Sequence, residues 1–497
     1  MCGVLGLISR DVNQNLAEYA YHGLLSIQHR GQDGAGITSY CTKKQQFFSH
    51  RSKGLVTQVF NKEVLDGLYG DIILAHNRYP TAGGYRPEDL QPQVMGYPHG
   101  LAMAHNGNIV NTAEISNKFK MSHSVQFLSK NDIESFMLSW SITWDRTSRM
   151  SMSFKEQITE CAKDIFKNFV GGYATVGIIA NQGMFAIRDP NGIRPLVLGA
   201  KYNESGLVES YCISSETSVL QRLGHTYLRD IEPGEFVYIS KKEAFESDSI
   251  FSFKYNTEQP KKTCMFEWVY FSAAESQIEN KSVYEVRLNL GVKLADSIKE
   301  KVKDISKEFD VVCPVPDTSR TSAISLAENL SLPYREALIK NRYIHRSFII
   351  SNQVERDKAL TLKLTPVLSE IKNKNILLVD DSLVRGSTSR KIIRLLKDMG
   401  ANSVSLALTC PEIKHPCYYG IDFPDPSELA CKERENHELA EWIGAKQVFF
   451  LGLTELKDAI GLGESLCMGC LTGKYPTHSK DFSSFQAERI RHRKDLG

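Results

Sequence analysis

The sequence contains no apolar run approaching the ~20 residues that a membrane-spanning helix needs. It also has almost no net charge: 60 Lys and Arg stand against 58 Asp and Glu, a formal +2. Such a balance gives no overall basic field for nucleic acid or for an anionic membrane surface, so neither partner is expected. The opening residues, MCGVLGLISR, lack the basic start and apolar centre of a secretory signal. No internal repeat or low-complexity tract is visible. Eleven cysteines, an odd number scattered over 497 residues, do not form a disulfide framework and read as reduced thiols. These absences leave a cytoplasmic location and two or three globular domains as the expectation.

The stretch with most to say is 375–390, NILLVDDSLVRGSTSR. Ile376 to Val379 is short and branched enough for a buried parallel strand. It runs into Asp380 and Asp381, then a loop with Gly386 and the hydroxyls of Ser382, Ser387 and Thr388. Ile392, Ile393, Leu395, Leu396 and Met399 recur at helical spacing up to Gly400, a plausible stop. Strand, loop and helix N-terminus make a cradle for phosphate, and paired acids ahead of it suit the vicinal hydroxyls of a ribose. A bare Asp-Asp-Ser also fits an ordinary turn with Asp381 or Ser382 as its cap. The longer string is more specific: it resembles the phosphoribosyl-pyrophosphate signature of type I phosphoribosyltransferases.

The amino-terminal half reads as strands punctuated by Gly- and Asn-bearing turns. CGVLGLI is a strand, 15–27 an amphipathic helix, and then follow SIQHRGQDGAGI, ILAHNRYPTAG (73–83), LAMAHNGNIVN (101–111), KNDIESF (130–136), VGGYATVGII (170–179) and RDPNGIRPL (188–196). Once Met1 is removed, Cys2 carries nucleophile and base on one residue, because an α-amino group titrates near pH ~7.7–8.0. Taken singly, Asn106 suits a turn, Arg78 a surface ion pair and Asp132 a helix cap. Together the strings, over nearly all of 2–240, resemble the class II glutamine amidotransferase domain, an N-terminal-nucleophile fold of two stacked sheets between helix layers.

That resemblance implies attack by Cys2 on the glutamine side-chain amide, with the oxyanion held by the Asn106 side chain and the Gly107 N–H. It further implies that Arg78 clamps the α-carboxylate, Asp132 holds the α-ammonium, and Arg30 serves the glutamine site by ordering the nucleophile region. Ile133 stands where the family usually has a small hydroxyl residue, a change without expected consequence.

Residues 241–263 are polar and unpatterned and are expected to connect the domains. Beyond them, Ile298, Val302, Ile305 and Phe309 step by four, three and four, as one long helix would. DVVCPVPDTSR (310–320) reads as a strand ending in a ligand loop, and the alternation of strands and helices predicts a doubly wound sheet. The expected fold is therefore an α+β N-terminal-nucleophile (αββα) glutaminase domain, 2–245, and an α/β type I phosphoribosyltransferase domain with a cysteine segment, 262–476. A polar, mildly basic tail, 477–497, completes the chain and is expected to be a solvated helix.

Both halves in one polypeptide resemble the amidophosphoribosyltransferases, which transfer ammonia from glutamine to phosphoribosyl pyrophosphate at the start of purine synthesis. The resemblance implies that Asp380 and Asp381 bind ribose hydroxyls and Mg²⁺, with Thr318 at the metal and pyrophosphate. Ser382, Arg385, Gly386, Ser387 and Thr388 would hold the 5′-phosphate, and KNRYIHRSFI (340–349) would begin the loop that closes over substrate. It also implies purine nucleotides as feedback inhibitors and a homo-oligomer, a dimer or tetramer. Two positions depart from the family pattern, Ala273 in FSAAES and Thr361 in DKALTLKLT, each where a basic residue is usual; weaker substrate binding or altered loop closure is the expected result.

Cys467 and Cys470 form a C-x-x-C, which alone is compatible with a metal or with nothing. Iron–sulfur members of the family carry cysteines at the positions of Cys264, Cys417, Cys467 and Cys470, which implies a structural 4Fe–4S cluster. A structural zinc site is the alternative, and Cys410 is the nearby thiol most easily mistaken for a ligand. Two other functional readings are open to the sequence: a catalytically silent phosphoribosyl or purine-nucleotide sensor, and another class II amidotransferase such as a hexosamine or asparagine synthase.

Overall fold

Strand Gly3–Ser9 shows how the amino-terminal domain is layered. Val4 and Ile8 point one way, into a core shared by two sheets, while Leu5 and Leu7 point the other way, under helices. A computed structural model describes residues 1–79, 86–246, 250–255, 259–341 and 364–494, without the side chains of 492–494. The first sheet has seven antiparallel strands with Gly3–Ser9 fourth, between Val208–Ser214 and Ile72–Arg78. The second has six, with Leu101–Ile109 beside Gly171–Ile179. Their inner faces meet through Val4, Ile72 and Leu74 on one side and Ala104, Val176 and Ile239 on the other. Gly6 lies at that seam, where a Cβ would come within 2.6 Å of both Met184 and Val176.

Helix Ala17–Ser26 covers the outer face of the first sheet, and helices Ile133–Ser148 and Phe154–Asn168 cover the second. The last begins with a reciprocal cap, in which the Glu156 carboxylate accepts from the Ser153 amide at 2.7 Å and the Ser153 hydroxyl accepts from the Glu156 amide at 3.3 Å. Its buried residues, Ile158, Cys161, Ala162, Ile165 and Phe166, follow the 3.6-residue period. This is the expected αββα sandwich.

In the second domain, strands Val311–Pro314, Asn375–Asp380, Ser403–Leu408 and Val448–Phe450 form a parallel sheet in that order. Leu377 and Val379 face helices Val283–Lys301 and Arg320–Leu330, whereas Ile376 and Leu378 face Ser387–Asp398 and Asn436–Ile443. Burial on both faces explains the unbroken apolar run in the sequence. Among the described residues, no helix is long and apolar enough to cross a membrane.

Three expectations need correction. The helical period through Phe309 outlasts the helix, which ends at Lys301; Val302 is extended, and Asp304 caps a separate turn, Ile305–Glu308. The same apolar residues pack into the core without continuing the helix. The 241–263 stretch is not featureless, because Phe251–Lys254 pairs antiparallel with Glu235–Ser240 as the edge strand of the second sheet. The terminal helix, Phe482–Lys494, is not simply solvated. Phe482 stacks on Tyr418 with centroids 4.3 Å apart, and buried Arg489 donates to the carbonyls of Cys417 at 2.6 Å and Ile421 at 2.9 Å.

Two candidate sites and a cysteine cluster

Cys2 enters strand Gly3–Ser9, whose Gly3 lies opposite Asn77, so the thiol reaches the end of strand Ile72–Arg78. There the Tyr79 amide donates to Cys2 Sγ at 3.4 Å, and the thiol faces the Tyr79 carbonyl at 3.5 Å. His76 bridges to the facing sheet, its Nε2 3.2 Å from the His105 carbonyl, one residue before Asn106. Asn106 is fully buried, and neither its Nδ2 nor its Oδ1 has a partner among the described residues. A buried amide left open in this way is costly unless something else occupies it. Gly107 follows at φ +124°, where a Cβ would meet the Gly172 carbonyl oxygen at 1.9 Å, so the position accepts only glycine.

Arg78 and Asn131, the neighbour of Asp132, meet at Asp89, a residue that no motif in the sequence singles out. The carbonyl of fully buried Asp89 accepts from Arg78 Nη1 and, at 2.7 Å, from Asn131 Nδ2. Asp132 accepts the Ile109 amide at 2.9 Å and lies 3.2 Å from His105 Nε2. Burial alone would raise its pKa, but His105 and the amides hold it below the ordinary carboxylate value. His105 is itself fixed by Gln91, which accepts its backbone N–H at 2.7 Å. Arg30 reaches the backbone at Cys2: its Nε donates to the Cys2 carbonyl at 3.1 Å, and its Nη1 and Nη2 donate to the buried carboxylates of Glu216 and Glu267. Residues 80–83 of the ILAHNRYPTAG string lie outside the described residues.

The second site sits at the carboxyl ends of the parallel strands, where ligands of doubly wound sheets bind. Asp380 ends its strand, and its Oδ1 accepts the Asp381 amide at 2.9 Å. Asp381 is buried and accepts hydroxyl bonds from Thr318 and Ser382, both at 2.6 Å. Burial pushes both carboxyls above the ordinary range; Asp381 adds to the shift of Asp380, while the two hydroxyls and Arg287 moderate that of Asp381. A pair that ionises so reluctantly suits a divalent cation, whose charge would restore both carboxylates.

Ser382 to Thr388 then leads into helix Ser387–Asp398, with Gly386 at φ +72° as its N-cap. Arg385 is the predicted member that is engaged elsewhere, donating to Glu428 at 2.7 Å and to the Asp422 carbonyl at 2.9 Å. Thr361, Lys363 and residues 342–349 lie outside the described residues.

All four predicted cluster cysteines are buried in one apolar core with Met265, Trp268 and Phe423. Cys264 pairs with Cys467 across two short parallel strands, the Cys470 carbonyl accepts the His415 amide at 3.0 Å, and the Tyr419 amide points at Cys417 Sγ at 3.4 Å. Burial, followed by neighbouring thiols, raises the pKa of Cys467 and Cys470. Beside them lies fully buried Arg194, whose Nε and Nη2 have no partner among the described residues. Among the described residues, no three His, Cys, Asp or Glu side chains come close enough together to hold a single metal ion.

Comparison with known proteins gives two family matches, a glutamine amidotransferase domain over 84–222 and a phosphoribosyl transferase domain over 286–439. The amidophosphoribosyltransferase of Methanocaldococcus jannaschii is 39% identical over 487 residues, covering 96% of this chain and 98% of that protein. The Schizosaccharomyces pombe enzyme of the same name is 37% identical, covering 99% and 93%. Among solved structures, glutamine phosphoribosylpyrophosphate amidotransferase from B. subtilis, complexed with ADP and GMP, superposes with a TM-score of 0.82 at 33% identity, covering 96% of this chain and 98% of that one. A second, described as the allosteric regulatory enzyme of purine biosynthesis, gives 0.84 at 33%, covering 98% and 99%.

Proposed function

This chain belongs to the amidophosphoribosyltransferase family, and we propose how its own residues divide the family's reaction. The activity is glutamine-dependent amination of phosphoribosyl pyrophosphate, the first step of purine biosynthesis. After removal of Met1, the Cys2 amine takes the thiol proton and the thiolate attacks the glutamine amide carbon. Asn106 Nδ2 and the Gly107 N–H stabilise the oxyanion while Arg78 and Asp132 hold the amino-acid end. The C–N bond breaks, ammonia leaves, and water hydrolyses the thioester to glutamate.

In the second domain, Asp380 and Asp381 orient the ribose hydroxyls and the loop to Thr388 holds the 5′-phosphate. Ammonia bonds to C1 of the ribose as the bond to pyrophosphate breaks. Mg²⁺, held by Asp380 and Asp381 near Thr318, would neutralise charge on the leaving pyrophosphate. Cys264, Cys417, Cys467 and Cys470, buried in one core, would hold a structural 4Fe–4S cluster through their thiolates. A cytoplasmic homo-oligomer inhibited by purine nucleotides completes the reading, its nucleotide part supported by the complex of the B. subtilis relative with ADP and GMP.

The observation that carries the proposal is the buried Asn106 amide, left without partners on the strand facing the nucleophile. Nothing observed favours the silent sensor. Pyrophosphate release, measured with glutamine and with ammonia for wild type and Cys2→Ala, tests the scheme. Loss of glutamine use alone in the variant supports it; wild type inactive with both donors would sink it.

A further inference from the structure

Between the two sites lies a group of buried charges that neither half-reaction consumes. Arg30, Glu216 and Glu267 are all fully buried. Arg30 Nη1 donates to Glu216 at 2.5 Å, and its Nη2 donates to Glu267 Oε1 at 2.9 Å and Oε2 at 3.1 Å. The remaining donor, Nε, holds the Cys2 carbonyl at 3.1 Å. Glu216 comes from the turn after strand Val208–Ser214 in the glutaminase domain, and Glu267 from the turn Glu267–Phe271 that opens the second domain.

Both carboxylates also grip the segment 272–276. Glu216 accepts the Ala273 amide and the Ser276 hydroxyl, each at 2.9 Å, and Glu267 accepts the Ser272 hydroxyl at 2.8 Å. The Ser272 carbonyl accepts from buried Arg287 at 2.8 Å, and the Arg287 charge acts directly on Asp381. Hydrogen bonds therefore run from the Cys2 backbone through Arg30, Glu267 and Ser272 to Arg287.

An apolar plug would join two domains at less cost, since buried ion pairs seldom exceed hydrophobic packing in stability. What ion pairs supply instead is fixed direction, and here it is applied to residue 2. We infer that Glu216 and Glu267 are positioning residues, which set the Cys2 backbone through Arg30 in register with the 272–276 segment of the other domain. The inference rests on the two-site reading above. It assigns these glutamates to glutamine use and leaves ammonia use, which bypasses Cys2, to the second domain alone.

Glutamine- and ammonia-dependent pyrophosphate release are compared in full-length wild type, Glu267→Gln and Ser276→Ala, the last of which removes one neutral hydrogen bond to Glu216. A small misplacement of reacting groups costs roughly ten- to a hundredfold, so Glu267→Gln is expected to lower glutamine-dependent kcat/KM by about that factor. Its ammonia-dependent rate should stay within about threefold of wild type, and Ser276→Ala should shift the same ratio in the same direction by a smaller factor. A parallel loss of both activities would reduce the network to a structural one and overturn the inference, as would no change in either variant. Should Glu267→Gln fail to fold, Ser276→Ala decides alone. Wild type unable to use glutamine at all would instead refute the two-site reading.

Discussion

Replacing Gly386 by alanine probes the proposed phosphate loop at a tightly packed point. Gly386 sits at φ +72°, where a side chain costs roughly 1–2 kcal/mol. The added Cβ would stand 2.5 Å from Trp442 Cζ3 and 3.0 Å from Cη2. The indole cannot easily retreat, because the guanidinium groups of Arg390 and Arg434 lie 4.9 and 4.3 Å from its ring. Overpacking of this kind adds about 1–3 kcal/mol, for a total of roughly 2–5 kcal/mol. If the loop holds its shape, the whole cost appears as lost stability; if the loop shifts to relieve it, the cost appears in substrate binding. At about 1.4 kcal/mol per factor of ten, half of the total in binding raises KM for phosphoribosyl pyrophosphate by roughly five- to sixtyfold. The assay is the ammonia-dependent reaction at varied sugar substrate, with thermal unfolding measured on the same samples. Unchanged KM together with unchanged Tm would refute both the packing and the assignment of this turn as the anion cradle.

Two further outcomes are expected. Burial, followed by Lys201, pushes the His225 pKa from 6.5 down to about 4, so on acidification the unfolded chain takes the proton first. Stability from this residue is complete above pH 6.5 and declines toward pH 4, by roughly 3 kcal/mol in all. Denaturant midpoints across that window should flatten in His225→Gln, and identical slopes would exclude the residue. Anaerobically purified protein is expected to carry about four iron and four sulfide per chain, with both lost in Cys264→Ser; stoichiometric zinc without sulfide would remove the cluster from the scheme.

The parts legible in the sequence are those where local pattern and tertiary role coincide. Ile376 to Val379 is apolar throughout because helices cover both faces of its strand, and Gly386 marks the turn because only glycine fits its φ against Trp442. Legibility fails where one pattern serves two conformations. Val302, Ile305 and Phe309 keep a helical period because they pack on the same core as Ile298, although the backbone has left the helix. Phe251–Lys254 alternates over four residues only, too short to stand out in a polar stretch. The terminal helix conceals its buried face because one of its anchors is an arginine whose charge is met by the carbonyls of Cys417 and Ile421.

Ala273 carries the same lesson to the junction of the domains. Compared with the family pattern, it is a lost cation and predicts weaker grip on pyrophosphate. In the structure, the residue's visible task belongs to its backbone, whose N–H donates to Glu216. A main-chain donor is indifferent to the side chain attached to it, so the substitution can remove a charge while leaving the interdomain contact intact. The partners that make the contact matter, Arg30 and Glu267, lie 237 residues apart in the chain. No local spacing could have joined them, and each alone reads as an ordinary charged residue of a soluble protein. What the fold adds is burial: both side chains meet out of water, and Arg30 also donates to the carbonyl of Cys2.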